Sequence, residues 1–227
     1  MVGLPKGDWR LLKAYRHNLD ADVCFDLMLD PLQLLSAYCE GAFPMGEEDG
    51  SVSWFRPPYR GILPVQEFHV PTRFERYLKS HPFEVRWNTA FGDVMRGCAD
   101  REETWITDAI LDTYQELHSL GFAHSAEVWR GGKLVGGVYG VAIGGAFFGE
   151  SMFSRETQAS KVALTHLQWR LKERGFILHD TQWTTSHLAS FGGHEIPCAQ
   201  YLEILNQAIT LPARFDERPL GASILFR

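Results

Sequence analysis

The chain has 227 residues, 45% of them apolar, and 22 Lys and Arg side chains stand against 28 Asp and Glu side chains. This length and apolar content suffice for one large packed domain, or for a medium domain with a smaller one beside it. The net charge of −6 argues against broad nonspecific binding of nucleic acid, so a nucleic-acid partner would need a local basic patch.

Several classes of protein are disfavoured by what the sequence lacks. It contains no apolar run long enough for a transmembrane helix, and residues 1–10 carry charges and proline where a signal peptide needs an apolar core. Its four cysteines are scattered without paired spacing, and its histidines have no metal-ligand spacing. We therefore expect a soluble, cytoplasmic protein with reduced thiols, no membrane partner and no metal.

The first predicted element is a helix that begins at Pro31, after Asp30 as its N-cap, and ends at Gly41. Between Gly41 and residue 71, prolines recur and only short extended pieces fit, around residues 52–55 and 61–65. We interpret residues 1–66 as a small irregular N-terminal domain and residues 67–227 as the main domain.

The main domain is predicted to begin with helices and continue as a meander. The helices are expected at residues 71–79, 88–98 and 108–120, the three antiparallel strands at 123–130, 133–143 and 146–152, then a helix at 160–174 and a strand at 176–182. Paired glycines at 131–132 and 144–145 supply the turns. This order is typical of an α+β domain and is similar to GNAT-like (acetyltransferase-like) domains.

Polar side chains stand at the ends of two of these strands. Glu150 follows Gly149 at the end of the last strand of the meander, while Asp180 and Gln182 project from the same face of the later strand because strand side chains alternate. Carboxylates with apolar residues between them suit a site that holds an amine beside an apolar side chain. Two simpler readings stay open: Glu150 as a turn carboxylate, and Asp180 as a satisfied structural one.

The segment at residues 155–160 bears on the acyl donor. In GNAT acetyltransferases a glycine-containing loop at this place holds the pyrophosphate of coenzyme A at a helix N-terminus. Here Gln158 occupies the position of the glycine that permits close backbone approach. The loop therefore disfavours an acyl-CoA N-acetyltransferase, which we keep as the alternative function.

Ordered motifs give the sequence a specific likeness between about Asp30 and Tyr201. The matching segments are residues 41–44 (GAFP), 54–60 (WFRPPYR), 104–106 (TWI), 121–129 (GFAHSAEVW), 134–141 (LVGGVYGV), 149–154 (GESMFS), 159–161 (ASK), Asp180-x-Gln182, 187–192 (HLASFG) and 195–197 (EIP). With these motifs the chain resembles the leucyl/phenylalanyl-tRNA–protein transferase family.

The resemblance implies an activity. The family moves Leu or Phe, and less well Met, from aminoacyl-tRNA to the N-terminal Arg or Lys of a protein, which marks that protein for N-end rule degradation. The expected partners are therefore Leu-tRNA, Phe-tRNA and proteins with N-terminal Arg or Lys, the aminoacyl-tRNA being a substrate and no cofactor being needed. A monomer is expected.

The resemblance also implies roles for individual residues. Asp180 and Gln182 are the expected catalytic pair, and Glu150 together with Asp180 is expected to bind the acceptor. The pocket for the aminoacyl group is expected to comprise Tyr38, Met45, Trp105, Phe147, Met152, Leu164, Leu167, Leu171 and His179. The basic residues Arg73, Arg76 and Lys79 are expected to contact the tRNA.

Three positions depart from the family pattern. Met45 stands where a tryptophan is usual, His179 where an aliphatic residue is usual, and Cys198 where an arginine is usual. A third reading is therefore a binding module that has lost catalysis. Retention of Glu150, Asp180 and Gln182 together speaks against that reading.

Overall fold

The computed structural model describes residues 29–215, apart from residues 48, 50 and 82. The N-terminal segment that we interpret as lacking a signal peptide, and Cys24, lie outside these residues. The described helices are α1 (Pro31–Cys39), α2 (Thr72–Ser80), α3 (Phe91–Ala99), α4 (Asp108–Leu120), α5 (Ala159–Glu173), α6 (Ser186–Ala189) and α7 (Cys198–Ala208). The described strands are β1 (Phe43–Gly46), β2 (Val52–Phe55), β3 (Tyr59–Ile62), β4 (Glu84–Trp87), β5 (Ala123–Arg130), β6 (Lys133–Ile143), β7 (Ala146–Ser154), β8 (Leu178–Gln182) and β9 (His194–Pro197).

The strands form a two-stranded hairpin, β1-β2, and a seven-stranded mixed sheet in the order β4-β5-β6-β7-β8-β3-β9. Every neighbouring pair in the large sheet is antiparallel except β7 with β8, which is parallel. A mixed α+β architecture is thereby confirmed. Strand β3 precedes residue 66 and yet lies inside the large sheet, between β8 and β9.

Two apolar cores cover the two faces of the large sheet. One is built with residues of α1, α3, α4 and α7, and the other with residues of α2 and α5. Consecutive residues of β7 serve the two cores in turn, since Phe147 belongs to the second and Phe148 to the first. This alternation follows from the two-residue period of a strand.

The predicted local signals are found at α1 and in the meander. The Asp30 carboxylate accepts from the backbone N–H groups of Leu32 at 2.8 Å and Gln33 at 3.0 Å, which satisfies two free donors of α1. Strands β5, β6 and β7 pair in sequence as predicted. A side chain at Gly140 would place its Cβ atom 2.2 Å from the Phe148 carbonyl oxygen, so only glycine allows β6 and β7 to approach here.

Other elements differ from the prediction. The helix predicted from residue 88 begins at Phe91, and the strand predicted from residue 176 begins at Leu178. Strands β1, β4 and β9 and helices α6 and α7 were not predicted. Each of these strands has four residues, too few to show alternation, and α7 begins after Pro197 without a side-chain cap.

Candidate active site

A cavity of about 340 Å³ opens where β7 and β8 separate. The two strands pair only from Ala146 to Phe148 and from Leu178 to Asp180, and no β7–β8 pair is described beyond Phe148 and Asp180. Clefts at the carboxyl ends of parallel strands are common ligand sites. The residues that line this cavity are Phe43, Pro44, Met45, Arg101, Trp105, Val138, Gly149, Glu150, Ser151, Met152, Leu164, His179, Thr181, Gln182, Trp183, Thr185, His187 and Leu188.

Asp180 lies behind this cavity with its carboxylate fully bonded. Its Oδ1 accepts from Arg60 Nε at 2.8 Å and from the Gln182 backbone N–H at 2.8 Å. Its Oδ2 accepts from Arg60 Nη2 at 2.7 Å and from the Tyr201 hydroxyl at 2.7 Å. Asp180 is 0% exposed and does not line the cavity. Its carboxylate therefore fixes the end of β8 from inside.

Arg60, on β3, carries the opposite charge that offsets the cost of burying the Asp180 carboxylate. It is 1% exposed, its guanidinium lies 4.4 Å from the ring centre of Phe43 and 4.8 Å from that of Tyr201, and its Nη1 donates to the Gly41 carbonyl at 3.0 Å. Burial by itself would lower the pKa of Arg60, but the Asp180 carboxylate raises that pKa above its usual value. The guanidinium is thus charged, hydrogen-bonded to Asp180 and Gly41, and in contact with two aromatic rings.

Gln182 occupies a strained turn at the end of β8. Its φ is 57°, in the left-handed region that non-glycine residues avoid. The Trp183 N–H donates to the Thr181 carbonyl at 2.6 Å, which closes a three-residue turn centred on Gln182. The turn packs against Gly61, where a Cβ atom would lie 2.5 Å from the Trp183 carbonyl carbon. With its amide nitrogen facing the neighbouring acceptors, the Gln182 side chain donates to the Gly149 carbonyl at 2.9 Å.

Glu150, on β7, is the carboxylate that lines the cavity. Its Oε1 accepts from the Tyr38 hydroxyl at 2.6 Å, and the Tyr38 hydroxyl is in turn hydrogen-bonded to the Tyr114 hydroxyl. Burial raises the pKa of Glu150 to about 8, while the hydrogen bond from Tyr38 opposes that rise. Burial also raises the pKa of Tyr38 and of Tyr114 well above 10. Both phenols therefore keep their protons, and the Tyr38 hydroxyl remains a donor to a carboxyl whose pKa is about 8.

The structure brings together some of the predicted pocket residues and not others. Met45, Trp105, Met152, Leu164 and His179 line the cavity. Tyr38, Phe147, Leu167 and Leu171 are fully or almost fully buried in the two apolar cores and are not among its lining residues. Periodicity could not separate these groups, because a helix face shows the same apolar pattern whether it borders a core or a pocket.

His179 borders the cavity as a neutral imidazole. It is buried beside Phe147, whose ring centre lies 5.4 Å away in an edge-to-face arrangement. Burial lowers the pKa of His179 to about 4, against the opposing effect of Asp180. The histidine thus adds a polar but uncharged group to a largely apolar wall.

Several site residues were not identified from sequence, among them the following four. Arg60 and Tyr201 bind Asp180, and Arg101 and Trp183 line the cavity. Arg60 and Tyr201 fall inside or at the end of the motif-bearing region, but no local pattern marks either as a partner of a carboxylate. Trp183 follows Gln182 directly, and this adjacency could have indicated from sequence that Trp183 lies near the site.

The three basic residues predicted to contact tRNA, Arg73, Arg76 and Lys79, are exposed on α2. The opposite face of α2 is anchored, since Phe74 is buried and the Tyr77 hydroxyl donates to the Thr157 carbonyl at 2.8 Å. Helix α2 therefore presents a basic surface while its aromatic face packs on the domain.

The described residues also bear on two other kinds of site. No helix among them is long and apolar enough to cross a membrane. Within the same residues, no group of three or more His, Cys, Asp or Glu side chains is arranged to hold a metal ion. Cys39, Cys98 and Cys198 are not joined to one another by disulfide bonds.

Comparison with known families assigns nearly all of the described chain. The profile described as "Leucyl/phenylalanyl-tRNA protein transferase" matches residues 62–206, and the profile for the N-terminal domain of the same transferase matches residues 28–58. The chain belongs to the leucyl/phenylalanyl-tRNA–protein transferase family. The resemblance inferred from the sequence motifs is thereby confirmed.

Individual relatives agree with this membership. A leucyl/phenylalanyl-tRNA–protein transferase of Paramagnetospirillum magneticum is 52% identical over 81% of this chain and 90% of its own length. That of Ruegeria sp. is 53% identical over 80% of this chain and 88% of its own, and that of Phenylobacterium zucineum is 51% identical over 82% and 87%. Among solved structures, L-PGS from Bacillus licheniformis is similar at a TM-score of 0.40 and 12% identity, covering 68% of this chain and 54% of that one. A likeness this low identifies neither fold nor function.

Proposed function

We propose that this protein transfers an amino acid from aminoacyl-tRNA to the N-terminal amine of a protein, with Leu and Phe as donors and N-terminal Arg or Lys as acceptors. The observation that carries the proposal is the cavity between β7 and β8, where Glu150 and Gln182 stand beside an apolar wall. Membership of the family supports the same reaction. The segment at residues 155–160, without the glycines of a coenzyme A loop, disfavours the acetyltransferase alternative.

The apolar part of the cavity suits the transferred side chain. Val138, Met152, Leu164 and Leu188 line it, and a methionine among them can adapt to more than one ligand shape. Leucine and phenylalanine are unbranched at Cβ, whereas valine and isoleucine are wide at the base and stiff at χ1. We expect the first two to enter and the last two to be excluded.

Glu150 suits the cationic side chain of the acceptor. It is the one carboxylate among the described residues that line the cavity. Its pKa of about 8 leaves it largely protonated at pH 7 without acceptor. Binding of a guanidinium or ammonium group favours the charged carboxylate, so acceptor binding would release a proton.

Gln182 is placed to bind the reacting amine of the acceptor, and Asp180 contributes by holding Gln182 in position. The Gln182 side chain lies at the carboxyl end of β8 in the cavity, where its amide oxygen can accept from the acceptor α-amine and orient it. Asp180 holds the Gln182 backbone N–H at 2.8 Å, which makes Asp180 a positioning residue. The neutral amine then attacks the ester carbonyl, a peptide bond forms and the bond to the tRNA ribose oxygen breaks. That oxygen leaves as a hydroxyl with the proton given up by the nitrogen.

The architecture and setting are part of the same proposal. The order of helices and strands, with two parallel strands that separate at their carboxyl ends, supports a GNAT-like domain. Because β3 lies inside the sheet of that domain, the small N-terminal domain would end before Tyr59 and not at residue 66. A monomer suffices, because the residues invoked at the site all come from one chain. The substrates are cytoplasmic, and protein degradation by the N-end rule would be the outcome.

Transfer of labelled leucine from Leu-tRNA to short peptides tests the proposal. An Arg-initiated peptide should be labelled, and an Ala-initiated peptide of otherwise identical sequence should not. Acetyl-CoA offered in place of Leu-tRNA should give no acetylated peptide. Labelling from acetyl-CoA without labelling from Leu-tRNA would replace the proposal by its alternative.

A further inference from the structure

Trp183 stands out as a large aromatic side chain left open at the rim of the cavity. It is 43% exposed and lines the cavity together with Trp105 and Met45. Its ring is perpendicular to that of Phe43, with the centres 5.0 Å apart. An indole in this position is held in place while a substantial part of it remains accessible to a ligand.

The backbone at Trp183 is arranged to produce this exposure. The left-handed turn at Gln182 reverses the chain at the end of β8, and its packing requires the glycine at position 61. Left-handed backbone at a non-glycine residue is strained and tends to persist at functional sites. The same turn therefore directs Gln182 into the cavity and Trp183 to its rim.

The chemistry of the rim favours a nucleobase as the ligand of Trp183. In an aminoacyl-tRNA the amino acid is esterified directly to the terminal nucleoside, so a side chain seated among Val138, Met152 and Leu164 brings that nucleoside to the mouth. A flat aromatic surface stacks on any base. Arg101, which lines the same cavity and donates to the Ser151 hydroxyl at 3.2 Å, adds positive charge for the adjoining phosphate.

We infer that Trp183 is the stacking surface for the terminal base of the donor tRNA. This inference rests on the proposed function and adds a residue to it. The stacked base would hold the ester at the carboxyl end of β8, next to Gln182. The competing occupant of Trp183 is the cationic side chain of the acceptor, which can also bind an indole face.

The test measures the KM for Leu-tRNA and the KM for an Arg-initiated peptide separately, in three variants of the full chain. Trp183→Leu should raise the KM for Leu-tRNA about tenfold, the scale of one lost base-stacking contact, and Trp183→Phe should restore most of it. Trp169→Leu is the matched control, because Trp169 is 47% exposed on α5 and does not line the cavity. The KM for the peptide should be the same in all of them.

A donor whose terminal nucleotide lacks its base isolates the contact. Wild type and Trp183→Leu should use this abasic donor equally poorly, because the stacking partner is gone from both. A rise in the KM for the peptide alone would assign Trp183 to the acceptor instead, and an unchanged KM for Leu-tRNA would refute the inference. Failure of wild type to transfer leucine at all would refute the proposed function, so the two failures are distinguishable.

Discussion

The guanidinium of Arg60 and the carboxylate of Asp180 form a two-point ion pair that is closed to solvent, with Nε–Oδ1 and Nη2–Oδ2 distances of 2.8 and 2.7 Å. The pair joins β3 to the end of β8, the strand that carries Gln182 into the cavity. Asp180 therefore supports the site from behind, whereas Glu150 and Gln182 face it.

Removal of the charge on Arg60 should destabilise the fold. Arg60→Met leaves a buried carboxylate without its cation, which costs about 3–5 kcal/mol in comparable pairs. Urea unfolding would measure the change in the free energy of unfolding. Arg86→Met is the control, since Arg86 pairs with Glu84 on the surface and its loss should have no measurable effect. Equal midpoints for Arg60→Met and wild type would contradict a structural role for the pair.

The preference for a charged acceptor should depend on pH through Glu150. Because burial raises the pKa of Glu150 to about 8, the carboxylate that attracts a cation accumulates only as pH rises through that value. The ratio of kcat/KM for an Arg-initiated peptide to that for its uncharged citrulline counterpart should increase over this range. Both peptides carry the same α-amine, so its own titration cancels. In Glu150→Gln the ratio should be low and flat, and a flat ratio in wild type would exclude this role.

The stability of the folded chain should also depend on the titration of Glu150. It should fall as pH rises, whereas the preference for a charged acceptor increases. A carboxyl whose pKa is raised by folding keeps a proton that the unfolded chain has already lost, so stability falls as pH rises from the ordinary carboxyl range to about 8. The midpoint temperature of thermal unfolding should therefore fall over this pH interval in wild type relative to Glu150→Gln. Parallel curves for the two proteins would show that Glu150 titrates normally.

Tyr38 should tune that titration. Its hydroxyl donates to Glu150 at 2.6 Å and thereby lowers the pKa of the carboxyl, so Tyr38→Phe should move the midpoint of the pH dependence upward. Tyr139→Phe is the control, because Tyr139 is equally buried and its hydroxyl has no hydrogen-bond partner among the described residues. An unchanged midpoint in Tyr38→Phe, or an equal shift in both variants, would show that the Tyr38 hydroxyl does not set the pKa of Glu150.

Helix α2 should account for part of the salt dependence of donor binding. Arg73, Arg76 and Lys79 are exposed on it, and each phosphate contact contributes roughly one unit to the slope of log affinity against log salt concentration. Replacing all three by alanine should weaken Leu-tRNA binding and flatten this slope by up to about three units. Arg96→Ala, at another exposed arginine, should leave the slope unchanged. An unaltered slope in the triple variant would locate the tRNA elsewhere.

Sequence signals were sufficient where structure is determined locally. Asp30 followed by Pro31 marks the start of α1, and the paired glycines at 131–132 and 144–145 mark the turns of the meander. The position of Gln182 at the end of its strand also followed from sequence. Glu150 was expected at a strand end but lies inside β7, two residues beyond the last pair with β8 and where the register with β6 shifts.

The same local sequence signals could not predict which residues pack together across long stretches of the chain. Arg60 meets Asp180 across 120 residues of chain, and nothing local to either residue shows that both are buried. Leu167 and Leu171 share the periodicity of Leu164, yet only Leu164 reaches the cavity, because the depth of a helix face depends on what packs against it. The turn that exposes Trp183 depends on Gly61 in another strand, which no pattern around Trp183 reveals.

The Gln182 side chain is expected to act in the cavity on the reaction itself, and Gln182→Gly tests this role most directly. Glycine adopts the φ of 57° without strain. The free energy of unfolding of the variant should therefore lie within about 1 kcal/mol of the wild-type value. Transfer of leucine from Leu-tRNA to an Arg-initiated peptide should nevertheless fall at least about tenfold. Gln158→Gly relieves the same kind of strain, at a φ of 68° away from the cavity, and should transfer as wild type does. Wild-type transfer by a folded Gln182→Gly variant would contradict the account.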